Sequence, residues 1–585
     1  MRNIRIDLLR TLAIVAVVLY HMGFMPYGYL GVDIFFVISG YFLMKGYLKG
    51  RKQGHGYWRM LFQRVARLWP IVVIASAVCL VVGIGTMLPD DLENLGESVI
   101  ASNVFMTNML SMITTKDYWA VSNNFRPLMH TWYLGVLMQA YVVLLLFFRV
   151  TDRFGRKVLK YSCAVLAAVS LIAYLLPLNS AWTFYIFFFR LFEILAGSLL
   201  VMMGGEGYLV QRRGFRAVSW GAMALIAFLL ILNRNFMNEK ARLVLVVCLT
   251  CLYLKLVEWN VPVKSRLLSW LSIPGKCSLS IYIWHQIILA FYRYIVISPM
   301  TGMHWLIYLA LLVVFTVASY QLLELKLGKL QKSDRKRGWL LGVTVLVCAA
   351  EVFGGGVLYL RAGVIRDVPE LGVTIENAHR GMHAEYVDRV YRYNADFSGL
   401  DKTRVFIYGD SMGRDWGNIL LESQYADALE LSYVHPTQYV PDQHDAIIQK
   451  ADVVFFAPLG DSLNLPEAMK KVDPEKLYVV GIKNFGECNG NFYNRRNCDD
   501  YFASTVKMGK SFVEGKTYYQ QNDDQRAAYG DHYIDMITPL LNEAGEMPVF
   551  SDEKMYISAD CEHLTQAGAR YYAKVLDLAW IVNRA

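Results

Sequence analysis

The residues able to do covalent chemistry in the outer half of the chain stand in two short motifs. Gly409-Asp410-Ser411 follows directly on the apolar run 404–408 (RVFIY). A serine at the end of a buried strand lies at the carboxyl edge of a parallel sheet, where α/β active sites form. Near the chain end, Asp560-Cys561-Glu562-His563 sets an acid three residues before a histidine, just ahead of a helical stretch. At that spacing the carboxylate can orient the imidazole and hold its tautomer, and the imidazole can take the serine proton. Ser411 is thus a candidate nucleophile, His563 its base and Asp560 the orienting acid, with Asp410 beside them. Gly-Asp-Ser alone is a common turn, and Asp-x-x-His alone is no more specific. It is their order, one after a strand and the other before the last helix, that carries the reading.

A second set of polar residues lies in apolar surroundings. Asp7, Arg10 and His21 share the first apolar run, and Arg10 and His21 are separated by ten residues. At about 1.5 Å per residue they stand about 16 Å apart along a helix. Asp33, His130, Glu193 and His285 sit in later runs, and Arg64 and Arg67 lie just before another. An ionisable residue inside a membrane span costs about 2.5–3.5 kcal/mol on insertion scales, so each marks a functional position by default. His21 on its own would read as an interfacial histidine.

The elements that must position these groups follow from composition. The 585 residues are 55% hydrophobic and only 18% charged, with a mean hydropathy of +0.32, against about 45–50% and about 25% in soluble domains. Residues 1–360 carry 35 basic and 15 acidic side chains, while 361–585 carry 23 and 34. The overall charge of +9 is therefore no nucleic-acid signature: it sits between apolar runs, as the positive-inside rule requires. Runs long enough to span about 30 Å of hydrocarbon occur at 7–22, 30–48, 71–88, 130–149, 159–176, 184–203, 216–232, 241–257, 278–297, 304–324 and 338–360, and predict eleven transmembrane helices. Basic residues collect in alternate connections (45–67, 149–160, 212–216, 255–266, 326–337), while the intervening ones are neutral, mixed or acidic. This alternation predicts a cytoplasmic N-terminus and a C-terminal region on the far side of the cytoplasmic membrane. Asp7 and Arg10 in the first span argue against a cleaved signal peptide.

Residues 361–402 read as a polar tether or small extension. Residues 403–585 alternate strands (404–408, 453–457, 477–480) with helical stretches and close on an amphipathic helix over 565–581, the pattern of a three-layer α/β domain. No repeat is visible. Cys488 and Cys498 bracket an Asn-rich loop and are a candidate disulfide in an oxidising compartment, with Cys561 left over.

The Ser411, Asp560 and His563 motifs over 403–585 resemble the SGNH hydrolase/acetyltransferase family, a flavodoxin-like three-layer fold. The resemblance implies Ser411 as nucleophile, His563 as base and Asp560 as its acid. That family draws an oxyanion donor from an Asn in a Gly-x-Asn block. The segment after 453–457 reads Pro458-Leu459-Gly460-Asp461-Ser462 and has no such Asn, which leaves Asn484 as a substitute or as an ordinary loop residue. Losing one such donor costs about 3 kcal/mol of transition-state stabilisation, so another group should fill the place.

Residues 1–325 resemble the acyltransferase-3 membrane family, with ten of the eleven helices; 326–360 would then be a cytoplasmic loop and the eleventh. The resemblance rests on Arg10-x10-His21, on Gly31-Val32-Asp33-Ile34-Phe35-Phe36-Val37-Ile38-Ser39-Gly40, on Arg64-Val65-Ala66-Arg67, and on His130 and His285 in their motifs. It implies acetyl-CoA as acyl donor on the cytoplasmic side, with Arg10 and His21 required for activity. Arg64 and Arg67 suit CoA phosphates and equally suit plain positive-inside topology. In the fourth span the family's Trp-Ser-Leu-x-x-Glu-x-Gln becomes Trp132-Tyr133-Leu134-Gly135-Val136-Leu137-Met138-Gln139. Leu137 replaces an acid able to pair Arg10 or His21, so either Asp33 or Glu193 takes over that balance or this branch handles its substrate differently.

Together these features predict a membrane O-acetyltransferase that moves acetyl outward to Ser411 and on to hydroxyls of a cell-envelope glycan. Lipopolysaccharide O-antigen, exopolysaccharide and peptidoglycan all stay open as acceptors. No metal and no nucleic acid are expected. The alternative is a transporter of lipid-linked glycan fused to an SGNH acetyl esterase, with the intramembrane charges lining a path. Trp416, Tyr433 and Tyr439 are candidates for stacking on sugar rings or for plain packing.

Overall fold

The computed structural model describes residues 3–114, 124–203, 213–232, 237–258, 265–297, 299–326, 329, 333–458, 460, 463–511, 513 and 515–583. The chain forms two compact units. One comprises 1–85, 94–293 and 299–356; the other comprises 86–93, 294–298 and 357–585.

In the first unit every apolar run of the sequence lies on a helix: α1 Ile4–His21, α2 Gly31–Lys52, α3 Tyr57–Thr86, α4 Trp132–Thr151, α5 Arg156–Leu175, α6 Phe187–Met202, α7 Arg213–Ile231, α8 Glu239–Glu258, α9 Ser278–Ile295, α10 Gly302–Ser319 and α11 Asp334–Leu360. Seven of these, with their flanking turns, are long and apolar enough to cross a membrane, among the described residues: α2 to α6, α10 and α11. The other four fall short for identifiable reasons. α1 carries Arg5, Asp7 and Arg10; α8 carries Glu239, Lys240, Arg242 and Lys255; α9 spends positions on His285, Gln286 and Arg293; and the apolar part of α7 is short. The helices poorest in hydropathy thus include two that bear chemistry.

α10 and α11 leave Val313, Val314, Leu346 and Phe353 exposed, as a lipid-facing surface would, while α1, α2, α6, α7 and α8 bury Leu9, Ala13, Ala16, Ile34, Val37, Ile38, Phe192, Ile226 and Val246 together. The closest approach explains a motif glycine: a Cβ on Gly40 would fall 1.8 Å from the Ile194 carbonyl oxygen. Only glycine lets α2 lie so near α6.

The second unit is an α/β layer structure. β1 Thr403–Gly409, β2 Leu429–Val434, β3 Val453–Ala457, β4 Leu477–Val480 and β5 Tyr533–Ile534 form a five-stranded, all-parallel sheet in the order 2-1-3-4-5. Along β1 successive side chains face opposite layers. Val405 and Ile407 pack with α12 (Ser411–Glu422) and α15 (Gln566–Val575), while Phe406 and Tyr408 pack with α13 (Pro441–Lys450). This strand order is the flavodoxin-like one, in which ligands bind at the switch point between β1 and β3.

In the stretch 361–402, Val364, Val368, Val373 and Val390 are buried in the second unit. One expectation changes. The closing helix is interrupted: α15 ends at Val575, Leu576 turns extended, and Asp577 caps a separate turn at Ala579 with a 3.1 Å bond. β2 and β5 were not anticipated. β2 (LELSYV) carries two polar residues, and only two residues of β5 pair.

Candidate functional site

In the helical unit Arg10 lines a cavity of about 930 Å³. Its walls carry six cations (Arg10, Lys45, Lys49, Arg64, Arg67 and Lys276) and two carboxylates, Asp7 and Glu324. Asp7 lies 3.8 Å from Arg10, one turn earlier on α1. Glu324 accepts hydrogen bonds from the Ser280 amide (3.0 Å) and hydroxyl (2.5 Å). Arg64 donates to the Phe42 carbonyl at 3.1 Å and lies over the Tyr141 ring. Leu137 is buried in the same wall, so the acids of this cavity are Asp7 and Glu324 rather than a residue of α4.

Ser39, Tyr133 and Tyr282 also line the cavity. The Tyr282 ring packs against His130 (5.3 Å between centroids) and His285 (5.5 Å). His285 in turn packs against His21 at 5.1 Å and against His130 at 5.3 Å. Three histidines from the end of α1, the turn before α4 and the middle of α9 therefore meet in one cluster. The Tyr282 hydroxyl holds the His130 carbonyl at 2.6 Å, and His285 Nδ1 faces the Tyr282 carbonyl at 2.6 Å. Each histidine was visible in sequence as a separate candidate; their meeting was not. Tyr133 and Tyr282, the link between cluster and cavity, were missed.

Asp33 and Glu193 do not serve Arg10 or His21. Both engage Arg190: Asp33 Oδ1 accepts from an Arg190 Nη, and Glu193 Oε1 lies 3.1 Å from Arg190 Nε, with all three side chains at most 2% exposed. The expected balance is overturned because the nearest cation, one turn before Glu193 on α6, captures both acids. A buried guanidinium matches two carboxylates through its fork of donors.

The strand-end site lies in the second unit. A Cβ on Gly409 would come 2.3 Å from the Ala457 carbonyl oxygen, so glycine is required where β1 leaves the sheet. Asp410 caps α12, accepting the Met412 amide at 3.0 Å. That places Ser411 in the first turn of α12, at the β1–β3 switch point. Tyr433 donates its hydroxyl to the Gly409 carbonyl at 2.9 Å, with the Asp410 carbonyl at 3.1 Å. It is 1% exposed, and Trp416 is fully buried; both are core residues, unable to stack on a sugar.

At the other motif, Asp560 Oδ2 lies 2.6 Å from His563 Nδ1, and its Oδ1 accepts the His563 and Glu562 amides at 2.7 and 3.0 Å. Burial pushes the Asp560 carboxyl up, but the hydrogen bond and charge of His563 and these amides outweigh it and hold it at about 2. Burial pulls His563 down, yet the hydrogen bond and charge of Asp560 raise it above its ordinary value. Cys561 between them adopts φ +71°, a left-handed conformation that a non-glycine residue holds only when its surroundings impose it. The surroundings are visible: the Cys561 carbonyl accepts the Phe485 amide at 2.8 Å and Asn484 Nδ2 at 3.3 Å.

Asn484 is thus committed to the histidine loop, and its Oδ1 takes the Gly486 amide at 3.0 Å. Leu459, Asp461 and Ser462 lie outside the described residues. Cys488 and Cys498 are free thiols; the disulfide is not formed. His563 Nε2 is buried without a hydrogen-bond partner, so Ser411 is not bonded to it in this state. The histidine loop meets the nucleophile helix one residue later, where the Leu564 amide donates to Asp415 Oδ2 at 3.0 Å. Asp415 and the lysine paired with it, Lys483 (2.6 Å), were not singled out in sequence. The only signal was an acid one helical turn after the serine.

Comparison with known proteins places the helical unit. Residues 3–324 match the acyltransferase domain family. Over 326 residues the chain is 26% identical to a Komagataeibacter xylinus protein named as a membrane-bound transacylase, BcsY, covering 54% of this chain and 81% of that one. It is 23% identical over 350 residues to a Staphylococcus aureus protein named as an O-acetyltransferase (54% of this chain, 56% of that one). It is 28% identical over 302 residues to the peptidoglycan O-acetyltransferase OatA of Listeria monocytogenes (48% of each). The chain thus spans about half the length of the last two relatives. No solved structure matches. Because more than half of the chain matches, and two of these relatives are named as O-acetyltransferases, this chain belongs to the acyltransferase-3 domain family and is a multi-pass membrane O-acyltransferase.

Proposed function

We propose that the chain takes acetyl from acetyl-CoA and delivers it, through Ser411, to hydroxyl groups of a cell-envelope glycan. The observation that carries this reading is the cavity with six cations whose tyrosine wall adjoins the His21–His285–His130 cluster. A phosphate-rich donor suits Arg64, Arg67, Lys45, Lys49 and Lys276, while its thioester would lie toward Arg10 and the tyrosines. The histidines supply the acid–base function beyond them. The loop charges favour a cytoplasmic opening for this cavity and an outer location for the second unit.

At the second unit, the Ser411 hydroxyl oxygen attacks the acyl carbon as His563 removes its proton. The bond from that carbon to the donor breaks, His563 passes the proton to the departing donor atom, and an acetyl ester forms on Ser411. A glycan hydroxyl then attacks that ester, His563 takes its proton, and Ser411 is regenerated. The switch-point position of Ser411 and the Asp560–His563 pair support an SGNH-type reading of this unit. Membership of an acyltransferase family leaves the transporter alternative without an observation in its favour. The name of one relative, the peptidoglycan O-acetyltransferase of Listeria monocytogenes, makes peptidoglycan the first acceptor class to test.

The test uses the full chain in lipid nanodiscs with radiolabelled acetyl-CoA and a soluble peptidoglycan oligosaccharide. Wild type is expected to label the oligosaccharide, His21→Ala to label neither protein nor sugar, and Ser411→Ala to leave the sugar unlabelled. Wild-type labelling of the sugar by both variants would overturn the proposal.

A further inference from the structure

Asp415 and Lys483 form an ion pair inside the second unit, 1% and 2% exposed, with 2.6 Å between Lys483 Nζ and Asp415 Oδ2. Burying two charges is costly unless geometry and further hydrogen bonds compensate, so a pair this deep needs a reason. Its neighbours give one. Asp415 lies four residues after Ser411 on α12, and positions four apart share a helix face with Cβ atoms about 5–6 Å from each other. The same Oδ2 that meets Lys483 accepts the Leu564 amide, next to His563. Lys483 also reaches Met412 Sδ, beside the nucleophile, at 3.3 Å. It lies three residues beyond the end of β4, and the adjacent Asn484 donates to the Cys561 carbonyl. One carboxylate thus joins the helix bearing Ser411, the loop bearing His563 and the segment leaving β4.

We propose that Asp415 and Lys483 are positioning residues that dock the His563 loop onto the nucleophile helix and so set the approach of His563 to Ser411. The assignment rests on Ser411 and His563 being the acyl-transfer pair. It explains how the two motifs, 152 positions apart, are held together although His563 Nε2 has no partner in this state. It also explains why the charge is retained: Asp415 provides a strong acceptor for a backbone amide, and Lys483 keeps that acceptor neutralised inside the core.

The test is hydrolysis of p-nitrophenyl acetate by the full chain in detergent, with kcat, KM and the pH profile measured and folding followed by circular dichroism. The charged groups facing His563 are Asp560, Glu562, Asp415 and Lys483. Removing the negative charge in Asp415→Asn is expected to move the histidine limb to lower pH. Removing the positive charge in Lys483→Met is expected to move it to higher pH. Both shifts would follow from the two charges lying near His563, so the positioning role itself is read from kcat against KM.

Each single variant leaves a buried charge unpaired and is a risk to folding, so the double variant Asp415→Asn/Lys483→Met, which buries no net charge, is measured as well. It is expected to fold and to lose at least tenfold in kcat with KM within twofold of wild type, the pattern of a disturbed catalytic approach. A folded double variant with wild-type kcat would overturn the positioning role. Wild-type hydrolysis by Ser411→Ala would instead overturn the underlying assignment of the nucleophile, so the two failures are distinguishable.

Discussion

The two units assemble their charged sites differently. In the helical unit, Arg190 takes one acid from its own helix and another from α2, 157 positions away. The three histidines likewise come from three separate parts of the chain. In the second unit the working pair, Asp560 and His563, lies within one turn of chain, and only its attachment to Ser411 is long-range. The difference follows from solvent. Inside a bilayer an unpaired charge has no water to fall back on, so a cation such as Arg190 draws in partners both from its own helix and from another. At a loop on a sheet edge, a local motif can be complete by itself and the fold need only aim it.

The sharpest way to break this comparison is at the local pair. Asp560→Asn keeps the shape of the side chain but removes the charge that orients His563. We expect kcat for p-nitrophenyl acetate to fall by about 10⁴-fold, as when an orienting carboxylate is neutralised in a serine triad. The sign of the pH effect is fixed. His563 must be neutral to act as base, so activity rises with pH through its pKa, and Asp560 holds that pKa above the ordinary value. Without the carboxylate the limb must move to lower pH. A limb that stays in place would show that Asp560 does not govern the base.

The corresponding change in the helical unit acts on folding instead. Arg190→Ala leaves Asp33 and Glu193 buried beside no cation, and removing one member of such a cluster costs about 3–5 kcal/mol. We expect little folded protein in detergent by size-exclusion chromatography, and recovery in Arg190→Met/Asp33→Asn/Glu193→Gln. If the triple variant is folded and still transfers acetyl, the cluster is structural. If it is folded and inactive, Asp33 belongs to the reaction after all.

A smaller effect separates the two roles open to the basic motif. Arg64→Ala and Arg67→Ala are each expected to raise KM for acetyl-CoA about tenfold, the value of about 1.4 kcal/mol for a lost charged contact to phosphate, while hydrolysis of p-nitrophenyl acetate at Ser411 stays unchanged. Unaltered KM in both variants would leave these arginines with topology alone.

How far the sequence reveals each site depends on the same contrast. The apolar runs that lie on the eleven helices, three of the five strands and the pairing of Asp560 with His563 are readable because hydrophobic periodicity and short spacings are local properties. β2 escapes because Glu430 and Ser432 break its apolar run, and β5 because two paired residues make no pattern. The pairing of Asp33 and Glu193 with Arg190 is misassigned for a physical reason: motif positions say that a buried acid needs a cation, but not which helix brings it. Asp415 and Lys483 escape for that reason too, as does Glu351, an acid in α11 beyond the matched family region.

Glu351 gives the mildest test of that principle. Its Oε2 accepts the Ser76 hydroxyl from α3 at 2.5 Å and Asn103 Nδ2 at 2.7 Å, and its Oε1 is buried without a partner. All three belong to the helical unit, so this carboxyl fastens the eleventh helix to the rest of that unit. A glutamine placed with its carbonyl oxygen toward Ser76 and Asn103 would keep both bonds and put its amide where Oε1 now stands. Glu351→Gln should therefore change stability by less than about 1 kcal/mol, whereas Glu351→Leu takes away the acceptor of one Asn103 N–H, the Ser76 hydroxyl keeping the Val72 and Val73 carbonyls, and should cost about 1–3 kcal/mol for the donor left unsatisfied. Thermal unfolding in detergent with acetyl transfer measured alongside separates them. If the glutamine variant is as unstable as the leucine one, the negative charge itself is needed, and a cation must be sought for Glu351 as one was found for Asp33.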